Sequence, residues 1–140
     1  MELDPVLLSR IQFAITIGFH FIFPPITIGM AWIIFRFMHR YKKTGEEHYA
    51  RQVRFWTKVF ALTFAVGVAT GIVMEFQFGT NWSVYSEYVG DIFGAPLAAE
   101  GILAFFLEST FMGVLIFGWN RFSTKTMWYA SLMAAVGSTL

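Results

Sequence analysis

Apolar residues in this chain gather in long blocks. The first, about 11–35, reads IQFAITIGFHFIFPPITIGMAWIIF and is interrupted only by Pro24-Pro25. The second, about 59–79, is VFALTFAVGVATGIVMEFQFG, and the third, about 93–119, is FGAPLAAEGILAFFLESTFMGVLIFGW. A fourth begins near Met127 and runs to Leu140. A membrane span needs about 20 apolar residues at about 1.5 Å rise each, so the first three are long enough and the fourth is too short. The predicted fold class is an all-α membrane protein: a transmembrane helix bundle of three full spans plus the start of a fourth, over residues 1–140. The expectation is the N-terminal part of a longer protein, ending inside a helix.

Composition agrees with that pattern. The chain is 56% hydrophobic and 14% charged, far less charge than a soluble domain carries. Its 17 Phe and 5 Trp suit lipid-facing and interfacial positions, and Trp82 and Trp119 read as interfacial anchors. There is no cysteine, which excludes disulfides, thiolate-ligated haem and iron–sulfur clusters within the chain. MELDPVLLSR lacks the basic start and small-residue cleavage site of a signal peptide, so the first apolar block is expected to stay in the mature protein.

The placement of charge sets the topology. Arg36, Arg40, Lys42, Lys43, Arg51, Arg54 and Lys58 lie on or beside the first connector, and Arg121 and Lys125 lie on the third. The second connector, TNWSVYSEYVGDI, has Glu87 and Asp91 and no Lys or Arg. By the positive-inside rule the N-terminus is outside, with the first and third connectors cytoplasmic. Gly67 and Gly71 form a GxxxG in the second span, read as ordinary helix packing. Pro24-Pro25 is expected to kink or break the first span just after His20 and to free backbone carbonyls.

Four ionisable residues fall inside the spans: His20, Glu75, Glu100 and Glu108. A carboxylate at the bilayer centre costs about 2.5–3.5 kcal/mol on insertion scales, so such groups face a protein interior or a water path. The topology puts His20, Glu75 and Glu100 in the outer halves of three different spans, which suggests one site near the outer face. Glu108 follows Glu100 by eight residues, about 12 Å along an ideal helix and roughly 80° around it, with Ser109 and Thr110 beside it. Each has a plain reading as well. A lone buried His is commonly a hydrogen-bonded core residue, and Glu75 is close enough to the interface to be half solvated. Two unpaired carboxylates in one span are harder to explain structurally, so Glu100 and Glu108 are the candidate functional pair. His39 and His48, near the basic connector, read as solvated.

Two classes of function fit a histidine facing carboxylates in lipid. In one, His20 is an axial ligand of a haem wrapped by apolar helices, and the glutamates deliver the protons that oxygen reduction consumes. In the other, the same groups form the ion site of a proton-coupled transporter without haem. A further enzyme reading is another membrane b-type cytochrome.

The residues also resemble a known family, subunit I of the cytochrome bd-type quinol oxidases. The resemblance runs through essentially the whole chain. It is carried by SRIQFAITIGFHFIFPPITIGMA (9–31), FWTKVFALTFAVGVATGIVMEFQFGTNWS (55–83), YVGDIFGAPLAAEGILAFFLEST (88–110) and GWNR (118–121). It implies an enzyme of the bacterial inner membrane that oxidises quinol and reduces dioxygen to water in a respiratory chain, with a second, smaller subunit II as partner. The bilayer is its environment, and no nucleic acid is expected. The implied cofactors are haem b and haem d, or haem b in place of haem d, since cyanide-insensitive relatives lacking haem d share this region. Position by position, His20 matches an axial ligand of a high-spin haem, Glu100 the glutamate beside that haem, and Glu108 a glutamate of proton delivery. The low-spin haem ligands and the quinol loop of the family are expected beyond Leu140, so the 140-residue piece alone is expected to be inactive.

Overall fold

A computed structural model describes residues 4–140, and every regular element over them is helical. The acidic start at Glu2 lies outside the described residues. Helix α1 covers Pro5–Phe21, α2 Phe23–Thr44 and α3 Glu47–Phe78. Helix α4 covers Ser83–Ala99, runs into a π-helical turn at Glu100–Phe105, and continues as α5, Phe106–Phe117; α6 is Thr124–Gly137. Three helical runs, Pro5–Thr44 (α1 and α2 end to end), Glu47–Phe78 and Ser83–Phe117, are long and apolar enough to cross a membrane. The architecture is the all-α membrane bundle that the apolar blocks predict.

The helices outrun those blocks. Pro5–Thr44 has 40 residues, about 60 Å at helical rise, twice the thickness of a bilayer's hydrocarbon core. Hydropathy marks only the part that lipid solvates, whereas helix propagation continues through polar residues that are themselves good helix formers. The basic residues of the first connector therefore sit on the ends of α2 and α3, and the connector shrinks to Gly45-Glu46. Gly45 closes α2 in the left-handed region at φ 70, its N–H on the Tyr41 carbonyl at 2.9 Å. Lys42 and Lys43 occupy the last turn of α2, the negative end of the helix dipole. The acidic second connector is likewise mostly helix, with only 79–82 left as a turn.

Pro24-Pro25 breaks the first run where expected. Neither proline has an N–H, so the carbonyls of His20 and Phe21 lose their helical donors. The backbone nonetheless stays right-handed through Ile22 (φ −66, ψ −35), whose N–H turns back to Phe19 at 3.4 Å. Asp4 caps α1 through Val6 N at 3.0 Å with Pro5 at the first helical position, and Ser123 caps α6 through Thr126 N at 3.2 Å.

The core sits at the basic end. Buried positions recur every three or four residues, with one adjacent pair: Thr27, Met30-Ala31, Ile34 and Met38 on α2, then Ala50, Val53, Thr57 and Phe60 on α3. This is the repeat of a left-handed helical seam. Helix α6 enters the same core with Met127, Ala130, Ser131, Ala134, Ala135 and Gly137, small residues that let backbones approach closely. Leu115 of α5 completes it. By contrast, α1 and α4 contain no buried residue.

The opposite end is held by a polar clamp. Gln12 on α1 donates to the Gln77 side-chain carbonyl at 3.3 Å and accepts from the Trp82 indole at 2.9 Å. Asn81 donates to the same Gln77 oxygen at 2.7 Å. Trp82, expected at the lipid interface, is only 5% exposed, with its ring on Phe13 at 4.8 Å. Its amphipathic ring pins α1 to the α3–α4 turn because Gln12 offers it an acceptor inside the bundle. His39 is also a correction: it is half-buried and accepts from the Trp128 indole at 3.1 Å. His48 is exposed, 3.3 Å from Glu46.

Candidate functional site

His20 stands on the last turn of α1 and meets α3 at two residues. Its Nδ1 is 2.9 Å from Thr70 Oγ1. Thr70 Oγ1 in turn lies 3.0 Å from the Val66 carbonyl and 2.9 Å from the Gly67 carbonyl. A threonine hydroxyl has one hydrogen and two lone pairs, and a carbonyl can only accept. With that hydrogen directed to the helix carbonyls, Thr70 Oγ1 accepts from His20 Nδ1–H. Nε2 of the ring has no hydrogen-bond partner among the described residues. An iron ligand needs one ring nitrogen unengaged and the other held by a protein partner, and His20 meets both conditions. The donor chemistry at His20 therefore fits axial ligation of haem.

Gly71 makes room for this ring. A Cβ at that position would lie 3.2 Å from His20 Cε1. Its GxxxG partner Gly67 faces Phe23, whose Cβ would be 3.3 Å from an added Cβ. The motif is packing, as expected, and the surface it packs is the histidine turn and the start of α2. Glu75, one turn past Gly71 on α3, is exposed.

Glu100 opens the π-helical turn and is exposed. Pro96, inside α4 four residues earlier, cannot donate to the helix ladder. π turns hold one residue more than an α turn and concentrate at functional positions. The extra residue also takes the angle between Glu100 and Glu108 away from its ideal-helix value. Phe105, at the end of the turn, stacks on Phe64 of α3 with ring centroids 5.6 Å apart. No backbone approach joins α1 to the π turn, although Phe13 of α1 meets Tyr85 of α4 with ring centroids 5.8 Å apart; apart from the Phe105 stack, the turn carrying Glu100 is linked to the bundle through α6 and its own chain neighbours. His20, Thr70 and Gly71 are thus brought together, and Glu100 is not brought against them.

Glu108 differs from the other three. It is 8% exposed and accepts from the Ser138 hydroxyl at 2.6 Å. Ser109, its sequence neighbour, instead donates to the Phe106 carbonyl at 3.3 Å. Among the described residues the ion pairs are His48–Glu46 and Arg54–Glu47, so no cation pairs with Glu75, Glu100 or Glu108. No group of three His, Cys, Asp or Glu side chains among the described residues could hold a bare metal ion.

Thr70, Gly71, Gly137 and Ser138 carry no signal as isolated letters. Thr70-Gly71 lies inside the GxxxG, which is the one hint that α3 is approached closely there.

Comparison with known proteins gives this geometry a family. The chain is 52% identical over 137 residues to cytochrome bd-II ubiquinol oxidase subunit 1 of Escherichia coli (strain K12), covering 98% of this chain and 27% of the relative. It is 50% identical over 123 residues to cytochrome bd ubiquinol oxidase subunit 1 of Bacillus subtilis (strain 168), covering 88% of this chain and 26% of the relative. Among solved structures, the bd oxidase from Geobacillus thermodenitrificans superposes with a TM-score of 0.89 at 34% identity, over 97% of this chain and 32% of that one. The chain thus spans about a quarter of the length of the curated relatives it matches. The family model for cytochrome bd terminal oxidase subunit I matches residues 8–140, and the chain belongs to that family.

Proposed function

We propose that this chain is the N-terminal transmembrane part of a terminal oxidase of a bacterial respiratory chain, one that oxidises quinol and reduces dioxygen to water. His20 is its axial ligand to a high-spin haem iron, Glu100 is the carboxylate beside that haem, and Glu108 passes protons towards it. The observation that carries the reading is the His20–Thr70 pair, which engages Nδ1 and leaves Nε2 without a hydrogen-bond partner among the described residues. The family supports the rest. Its members named above are ubiquinol oxidases, and a transporter without a cofactor finds no support among them.

Haem, b or d type, would supply the electron transfer and oxygen binding that amino-acid side chains lack. The chain's own residues bind, orient and move protons. Thr70 holds the imidazole in one tautomer, and Gly71 lets the ring lie against α3. The apolar flanks of α1 and α3 keep water from the ligand. Glu108, buried and without a cationic partner, exchanges protons between the polar side of the bundle and the haem pocket. Orientation follows the basic connectors: N-terminus outside, in the bacterial inner membrane, with a subunit II completing the enzyme.

His20→Ala in the full-length oxidase tests this directly. The expected outcome is loss of one high-spin haem signature from the optical spectrum and loss of oxygen reduction with quinol. An unchanged haem spectrum with retained activity overturns the assignment.

A further inference from the structure

The bond between Ser138 and Glu108, at 2.6 Å, is shorter than any other side-chain hydrogen bond among the described residues. Ser138 Oγ has a second neighbour, the Ala134 carbonyl, at 3.0 Å. Two oxygens thus stand ready to receive one hydroxyl hydrogen, and only one can have it.

We propose that Ser138 is a positioning residue that holds Glu108 in both of its protonation states by turning its hydroxyl. When Glu108 is ionised, the serine hydrogen points to Oε1 and stabilises the carboxylate. When Glu108 is protonated, its own O–H donates to Ser138 Oγ, and the serine hydrogen turns to the Ala134 carbonyl. Each state keeps the two side chains bonded to each other and gives the serine hydrogen an acceptor. The change is a rotation about one bond, with no helix movement and no proton leaving Ser138.

The backbone fixes the pair in place. A Cβ on Gly137 would lie 2.9 Å from Glu108 N, 3.2 Å from Glu108 Cα and 3.3 Å from the Ala104 carbonyl. Helix α6 therefore lies backbone against backbone with the turn that carries Glu108, and the next residue, Ser138, has its hydroxyl at hydrogen-bond distance. Apart from this hydroxyl, no side chain among the described residues bonds to the carboxyl group, and no cation pairs with it. An isolated carboxylate leaves water at a steep cost, so a partner that serves both states lowers the barrier between them.

This inference rests on Glu108 lying on the proton route, and the experiment separates the two claims. Four variants of the full-length oxidase with its partner subunit are compared: Ser138→Ala, Ser138→Thr, Glu108→Gln, and the Ala–Gln double variant. Proton uptake in a single turnover with oxygen is measured together with haem content. The infrared carbonyl stretch that disappears in Glu108→Gln identifies the Glu108 carboxyl. Ser138→Ala is expected to slow uptake roughly tenfold, the loss of about one hydrogen bond to a charged group. It is expected to shift the Glu108 band to higher wavenumber while haem content stays constant. Ser138→Thr, which keeps the hydroxyl, restores both rate and band, and the double variant is no slower than Glu108→Gln alone. If alanine lowers the yield of holoenzyme, Ser138→Cys, similar in volume and a weak donor, gives the same comparison. Wild-type uptake with an unmoved band in Ser138→Ala overturns the role of Ser138 while Glu108→Gln remains slow. Wild-type uptake in Glu108→Gln overturns the proton route itself, and the role of Ser138 with it.

Discussion

The two ends of the bundle are built on different terms. At the basic end, α2, α3, α5 and α6 bury an interlocked set that includes Ile34, Met38, Val53, Phe60, Leu115 and Met127, all at 1% exposure or less. At the opposite end, α1 and α4 bury nothing of their own, and α1 is tied to α3 by the Gln12–Gln77–Trp82 clamp and by His20 on Thr70. His20, Glu75 and Glu100 lie towards this second end, and Glu108 sits on the border, where α6 meets the π turn. Packing and chemistry are therefore separated along the helices. The half that holds the fold has filled its space with side chains, and the half that offers donors has left its apolar faces uncovered. A close-packed core tolerates no large planar group; helix faces without side-chain neighbours can accept one.

Substitutions at the two ends should accordingly move different observables. The largest expected effect on stability is at Phe60, fully buried on α3. Phe60→Ala is expected to cost about 3–5 kcal/mol of unfolding free energy, read by denaturant titration in detergent, with the haem spectrum per folded molecule unchanged. Loss of haem in step with stability would erase the division. Thr70→Val tests the other end. It removes the acceptor of His20 Nδ1 and keeps the side chain's volume. It is expected to weaken retention of the haem by about 10–100-fold, read by haem content after washing in detergent, with the unfolding midpoint little moved. A large drop in stability with full haem retention would make Thr70 a packing residue. The smallest effect is at Thr57, whose buried hydroxyl has no hydrogen-bond partner among the described residues. Thr57→Val is expected to stabilise by up to about 1 kcal/mol with no change in activity, since it removes an unsatisfied polar atom from the packed half.

How much of this could be read in the sequence depends on the distance over which each feature acts. The spans are local: a run of about 20 apolar residues has few other solutions in a membrane protein. The break at Pro24-Pro25 is equally local, because a missing N–H acts on the carbonyl one turn back. Helix ends were not legible from apolar blocks, because Lys42, Lys43 and Glu47 end the lipid-solvated stretch without ending the helix. The ionisable residues were legible as candidates because each is costly in lipid. Their partners were not. Thr70 lies 50 residues from His20, and Ser138 lies 30 from Glu108. The Trp82 bond to Gln12 spans 70 residues and the Trp128 bond to His39 spans 89. Both tryptophans have amphipathic rings that suit a headgroup region or an internal acceptor equally well, and only tertiary contact selects between them.

The turn at Glu100–Phe105 has one further consequence. It inserts a residue into the angular count of its helix, so the segment before it and the segment after it keep different registers. Forcing the same residues into an even α-helix, with none deleted, would turn everything downstream by roughly 100° and carry Glu108 away from Ser138, whereas deleting one residue there would keep both segments in place. The helix from Ser83 to Phe117 thus presents two faces in succession, an open one at Glu100 and a sealed one at Glu108. A single surplus residue sets the phase between them.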